Sequence, residues 1–301
     1  MLLLGASSPP VALHRILADW QTGASAWCVL ALLLGAAGAY GLGVRRLRQR
    51  ERTWWRWRSA SFLAGLLVVE LAVASGLASY SGSEFSLHVL QLLILIDLAP
   101  TLLALGAPIS LLIESSPPTL RRSAGRLLSA RASAALTHPA IALGLLVAST
   151  YCYFLTPLYR LSISHPDLRG LVEVEFFLVG CLYWWLAVGR DRLPHVLSDP
   201  GRLLFLGVTI PPGAFLGIDL LNQLRPIAPR HSVADTHIGG ALLWGFADLY
   251  TLLVLGLVFV RWMRDEDRRQ LQGDSARDTI EAAERIVAEA ARNLTPPGDA
   301  V

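Results

Sequence analysis

A few ionisable side chains sit in stretches that otherwise carry almost none, and their types point to two kinds of chemistry. His88, Glu173, Asp235 and His237 combine imidazole with carboxylate, a donor set that suits several divalent ions. Gln91, Asp97, Glu175, Asp219 and Asp248 would line the surrounding cavity, and Glu70 adds another carboxylate. Acids placed this way mark ion pathways and proton relays. A shared metal requires separate helices to converge, so metal binding and a hydrogen-bonded packing role both stay open for each histidine. Arg169 and Glu173, four residues apart, can instead neutralise each other.

The elements that must position these groups follow from composition. Of 301 residues, 53% are hydrophobic and only 16% charged. Mean hydropathy is +0.49. A soluble domain carries about 25% charge. The missing charge leaves long apolar runs, and about 20 apolar residues cross a hydrocarbon core as a helix. Seven spans are expected, near residues 24–44, 60–79, 86–113, 139–156, 170–188, 203–221 and 237–260. The fold class is therefore all-α, a polytopic seven-transmembrane-helix bundle in a lipid membrane. Soluble, collagen-like and disordered classes are excluded. Cys28, Cys152 and Cys181 each fall within a span and form no CxxC pair, which argues against a disulfide framework.

All 26 basic residues are arginine. Alternate loops and the tail collect 21 of them, against five on the opposite side. The positive-inside rule puts the N-terminus outside and the C-terminus in the cytoplasm of a bacterial plasma membrane. Three regions result: an extracytoplasmic segment 1–23, a membrane domain 24–263 and a charged cytoplasmic tail 264–301. Met1 to Leu4 lack a basic leader, and no cleaved signal is expected. The tail suggests a short helix over 278–294, ended by Pro296 and Pro297. Arg45 to Arg58, interleaved with Trp54, Trp55 and Trp57, reads as a topology signal with an aromatic belt, not as a nucleic-acid site.

With that orientation, His88, Glu173, His237 and Asp219 fall near the outer face, and Asp97 and Asp248 about 16 Å deeper. An outward-facing polar pocket is expected. Eleven residues separate His237 from Asp248, which nearly eclipses them on a regular helix, with Trp244 on the same face. Pro100 should kink the third span, which could end before Pro108. Pro211 and Pro212 should break the sixth near its middle, as in helices that line transporter cavities. Gly239 and Gly240 allow close helix contact. No Ser/His/Asp order, phosphate loop or HExxH motif is present, so the chain is not read as an enzyme. A small-solute or proton-coupled transporter is the alternative, resting on Asp97, Asp248, Glu70 and the prolines of the sixth span.

Several blocks occur in a characteristic order. They are Ser61 to Gly65, Ser86 to Gln91, Ala99-Pro100 leading to Leu105 to Pro108, and Thr156 to Tyr159. His165-Pro166, Phe176 to Gly180, Tyr183 to Trp185, and Asp235 with Gly239-Gly240 and Trp244 follow. Together they resemble the seven-span assembly factors of caa3-type cytochrome c oxidase, the CtaG family, from about Tyr40 to Arg264. The resemblance implies an assembly or maturation factor that meets cytochrome c oxidase subunits as a chaperone and acts on their copper. The family carries more histidines. Its His-x-x-Gln-His pattern keeps His88 and Gln91 here, but Leu92 stands for the second histidine. Further family histidines fall at Arg169, Glu173 and Glu175, and Thr236 stands where glutamine is usual. The implied metal-binding set is thus depleted. Copper(I) also prefers sulfur ligands, and the methionines are Met1 and Met263 only.

Overall fold

The computed structural model describes residues 19–128, 130–188, 191, 195–229 and 231–294. Most of the segment 1–23 and Pro296-Pro297 therefore lie outside the described residues. The described chain is helical throughout, with no strand. Six helices are long and apolar enough to cross a membrane, and a seventh span results if Pro139–Leu155 and Leu158–Ser164, bent by 71°, count as one. Many leucines point outward; Leu32 is 74% exposed and Leu67 59%. In water this would be costly, whereas lipid tails solvate such a surface at no cost.

The first span is Ala24–Gln49 and the second runs from Arg56 to Tyr80 with a step at Ser75, whose hydroxyl accepts from Leu77 N. The third, Phe85–Ser115, is built of fragments: Phe85–Leu93, a π turn Ile94–Leu98, Ala99–Leu105, and Pro108–Ser115. The irregularity falls where proline was expected to matter. Pro100 cannot donate a backbone hydrogen bond, and the ladder widens in the turn just before it. At Ala107 the backbone is left-handed (φ 49°), an uncommon state for alanine, and the helix restarts at Pro108.

The sixth span corrects one expectation. Asp199–Leu221 stays one helix through Pro211 and Pro212. Two adjacent prolines leave the carbonyls of Gly207 and Val208 without their helical donors, yet the helix continues, with contacts from neighbouring spans beside it. The Tyr151 hydroxyl donates to Pro212 O at 2.9 Å. Gly217 and Gly240 also bring the sixth and seventh spans into backbone contact. A Cβ at Gly240 would lie 2.9 Å from Gly217 O. The seventh span begins at Val233 rather than His237, passes a π turn Leu242–Phe246, and continues as Ala247–Leu294. The expected separate helix over 278–294 is thus the end of a longer one. The chain divides into two compact units, residues 1–255 and 256–301.

Packing at the arginine-rich end centres on Tyr40. Its ring stacks on Phe62 at 4.1 Å, its hydroxyl donates to Gly106 O at 2.8 Å, and Trp54 Nε1 donates to that hydroxyl at 3.0 Å. The third and fifth spans meet at the first π turn, where a Cβ on Gly180 would approach Ile96 O to 2.2 Å. Only glycine admits that carbonyl.

Candidate functional site: a buried polar latch at the arginine-poor end

The start of the third span cannot cap itself. Glu84 occupies the N-cap position, but its side chain makes no cap hydrogen bond. The capping group comes from the seventh span, 150 residues away in sequence. Asp235 accepts Phe85 N at 2.7 Å and Ser86 N at 2.9 Å, the orphan donors of that first turn. Asp235 is itself held in a helix start: Ser232 caps it by accepting Asp235 N at 3.0 Å. His231 Nδ1 lies 3.3 Å from the same carboxylate, and His231 Nε2 is 2.8 Å from the Tyr159 hydroxyl.

His231 Nδ1 stands within ion-pair distance of Asp235 without making a hydrogen bond to it, and its Nε2 shares a hydrogen bond with the Tyr159 hydroxyl. Proton bookkeeping fixes the tautomer of the second imidazole. Ser162 Oγ donates to Tyr159 O at 2.7 Å, since a carbonyl only accepts. The Tyr153 hydroxyl, 2.8 Å from Ser162 Oγ, must then donate to it. His88 Nε2, 2.7 Å from the Tyr153 oxygen, therefore carries a hydrogen and donates. His88 is fully buried, and its Nδ1, a bare lone pair, has no hydrogen-bond partner. Phe85, Tyr153, Tyr159, His88 and His231 pack as one ring cluster, with Tyr159 5.6 Å from His88 and 5.9 Å from His231.

A second group adjoins it. Arg169 Nε donates to Glu173 Oε1 at 3.1 Å, the pairing that the i,i+4 spacing allowed. Its Nη2 donates to Ala78 O at 2.9 Å and also to Ser81 Oγ. Gln91 Nε2 is shared between Ala72 O at 3.0 Å and Glu173 Oε1 at 3.1 Å. Spans two, three and five are thereby tied by one arginine and one amide.

The expected metal set does not converge. Among the described residues no three His, Cys, Asp or Glu side chains stand close enough to hold a metal ion. Glu173 is neutralised by Arg169, Asp235 is spent on capping and on His231, and His237 Nε2 bonds to Gln223 O at 3.0 Å. Cys28 and Cys152 are exposed and supply no buried sulfur. The residues present do not fit a resident copper ion: among the described residues the unpartnered His88 Nδ1, His231 Nδ1 and Glu70 Oε2 belong to no group of three ligands.

The expected cavity lining is corrected as well. Gln91 is buried in the arginine network. Asp97 is buried in the first π turn, where Trp184 Nε1 donates to it at 3.1 Å. Glu175 is exposed and accepts from Ser149. Asp219 is exposed and accepts from Gln223 Nε2 at 3.1 Å. Asp248 is half-buried beside Gly213. The π turn at 242–246 inserts a residue between His237 and Asp248, turning the later side chains by roughly 100°. The predicted eclipsing is lost. A cavity of about 380 Å³ lies instead between the bend at Thr156-Pro157 and the loop after the sixth span. Arg160, Gln223 and Arg225 are among its walls, Tyr159 reaches it from the latch, and none of the nine expected site residues lines it.

Sequence reasoning missed His231, Tyr153, Tyr159 and Asp191. His231 is four residues before Asp235, and that spacing was the available signal. Asp191 repeats the capping device at the arginine-rich end. It accepts Ser110 N at 2.6 Å and Ile109 N at 3.3 Å, restarting the third span after Ala107, and takes Trp185 Nε1 at 2.8 Å.

Comparison with known proteins decides the family. Residues 38–265 match the model described as cytochrome c oxidase caa3 assembly factor (Caa3_CtaG). The chain belongs to that family. An uncharacterized protein of Mycobacterium bovis is 28% identical over 321 residues, covering 97% of this chain and 47% of that protein. An uncharacterized protein of Mycobacterium leprae is 28% identical over 270 residues, covering 84% of this chain and 41% of that protein. The chain thus spans about half the length of the curated relatives it matches. No solved structure matches it. His88, Gln91 and Asp235 all lie within the matched residues; His88 and Asp235 are packed into the latch and Gln91 into the adjoining arginine network.

Proposed function

We propose that the chain is a non-enzymatic assembly factor for cytochrome c oxidase in a bacterial plasma membrane, with the latch on the extracytoplasmic side. Its working part is the rigid end formed by spans two to five and seven, and a client subunit docks at the cavity beside Arg160 and Arg225. Membership of the family supports the oxidase role. The observation that carries the docking role is the chain of contacts from that cavity to the helix start it controls: Tyr159 in the cavity wall, then His231, Asp235 and Phe85 N. Occupation of the cavity would thereby be felt at the third span. Copper enters as cargo of the client.

The transport alternative rested on Asp97, Asp248, Glu70 and a broken sixth span; that span is unbroken and Asp97 accepts from Trp184 Nε1, which favours the assembly reading. The test uses cells that lack the native copy. Arg160→Gln/Arg225→Gln removes the Arg160 Nε–Ile227 O hydrogen bond (2.8 Å) but no contact of Asp235, His231, Tyr153 or His88. It should reach the membrane at the wild-type level and restore less oxidase, read from haem spectra and cytochrome c oxidation, while Arg225→Gln alone should show the same direction of loss. Full oxidase restoration by the double variant at a normal chain level rejects the docking role. Full oxidase in cells with no copy at all rejects the assembly role.

A further inference from the structure

The opposite end of the first span carries a groove that the latch does not use. It lies between the first and second spans, holds about 560 Å³, and changes character along its length. Arg45, Arg48, Gln49 and Ser59 form one end. Ala37, Gly41 and Leu63 form the other. At 1.5 Å per residue, Ala37 to Arg48 covers about 16 Å, close to one leaflet's depth from mid-membrane to headgroup. The groove therefore grades from hydrocarbon to polar along the direction in which a lipid does.

Charge then selects the occupant. No carboxylate lines the groove. Arg45 and Arg48 are three apart on one helix face and both exposed, and among the described residues neither makes an ion pair or side-chain hydrogen bond. A guanidinium fork matches phosphate oxygens, and basic pockets between membrane helices take phosphate headgroups. The apolar end continues as a smooth strip. Gly41 lines the groove, and Gly38 and Gly35 follow at three-residue steps that wind the strip round the helix by about 60° each; a Cβ at any of them would meet no atom within 4 Å. A neighbouring helix could lie on that strip, but it would leave two guanidiniums uncompensated. An acyl chain attached to a phosphate satisfies both ends.

We propose that this groove binds one anionic phospholipid, with its phosphate on Arg45 and Arg48 and an acyl chain along Leu63 and the glycine strip. The site is separate from the latch and does not depend on the oxidase role. It places an ordered lipid where the arginine-rich loop leaves the bilayer.

The test is native mass spectrometry of the full chain, delipidated in detergent and titrated with phosphatidylglycerol, phosphatidylcholine or inorganic phosphate. Phosphatidylglycerol should bind one molecule in preference to phosphatidylcholine. Arg45→Gln/Arg48→Gln should weaken it by roughly ten- to thirty-fold. Gly41→Leu, which fills the open strip and leaves the charge unchanged, should weaken it too. Arg121→Gln/Arg122→Gln, an equal loss of charge elsewhere, should bind like wild type. Equal weakening by that control would mean diffuse attraction and overturn the proposal. Displacement of the lipid by millimolar inorganic phosphate, an unaffected Gly41→Leu chain, or a lipid-independent dimer on this face would overturn it as well.

Discussion

Asp235→Ala removes the carboxylate that begins the third span, and its cost can be worked from the contacts. The carboxylate accepts two backbone N–H groups, at 2.7 and 2.9 Å, in place of a cap that Glu84 does not supply. Loss of an N-cap costs about 0.5–2 kcal/mol. Loss of Asp235 also removes the carboxylate 3.3 Å from the fully buried His231 Nδ1, an electrostatic neighbour whose loss adds about 1–3 kcal/mol. The two losses share one residue and are not additive, so a total of about 2–4 kcal/mol is expected. For a chain of this size each kcal/mol is worth roughly 2–4 °C. The assay is thermal unfolding of purified protein in detergent, followed by loss of the monodisperse peak. Asp235→Asn keeps one acceptor oxygen and should lose about half as much. An Asp235→Ala chain that melts within about 1 °C of wild type would refute the capping argument.

Other outcomes follow from the same contacts. Gly180→Ala pushes a methyl toward Ile96 O, where a Cβ would stand at 2.2 Å, and should destabilise by at least about 1–3 kcal/mol, read by the same melting assay. Asp191→Ala frees Ile109 N, Ser110 N and Trp185 Nε1, and should raise protease cleavage or hydrogen exchange near residues 106–110 without altering the latch. Glu84, outside the spans, has its carboxyl raised above the ordinary range by burial and then by Asp235. A raised acid favours the folded state while protonated, so its contribution is present at low pH and fades as pH rises through the folded value. Glu84→Gln should flatten that part of the melting-temperature profile; an unchanged slope would count against it.

Much of the fold was legible because span-forming physics is local. Runs such as 24–44 and 139–156 can only be helices in lipid, and charge asymmetry needs no coordinates. Site residues were less legible. Asp235 could be singled out as an acid near a span, yet its partners lie 150 residues away at Phe85, a distance no spacing rule covers. His231 was missed because it sits in a loop, outside any apolar run. The sixth span failed for a different reason. Tandem prolines normally interrupt a helix, but this one runs through them, packed against Tyr151 and the backbone at Gly240. The two π turns shifted Asp97 and Asp248 away from where a regular 3.6-residue period places them.

The central claim is that the buried imidazoles and acids at the arginine-poor end form a latch that positions helices, not a copper centre. Copper analysis of the purified full chain after equilibration with Cu(I) and removal of excess tests it most directly. Wild type and His88→Ala should retain the same substoichiometric amount. One copper per wild-type chain, lost in His88→Ala while the protein stays folded, would contradict the latch and restore a metal site.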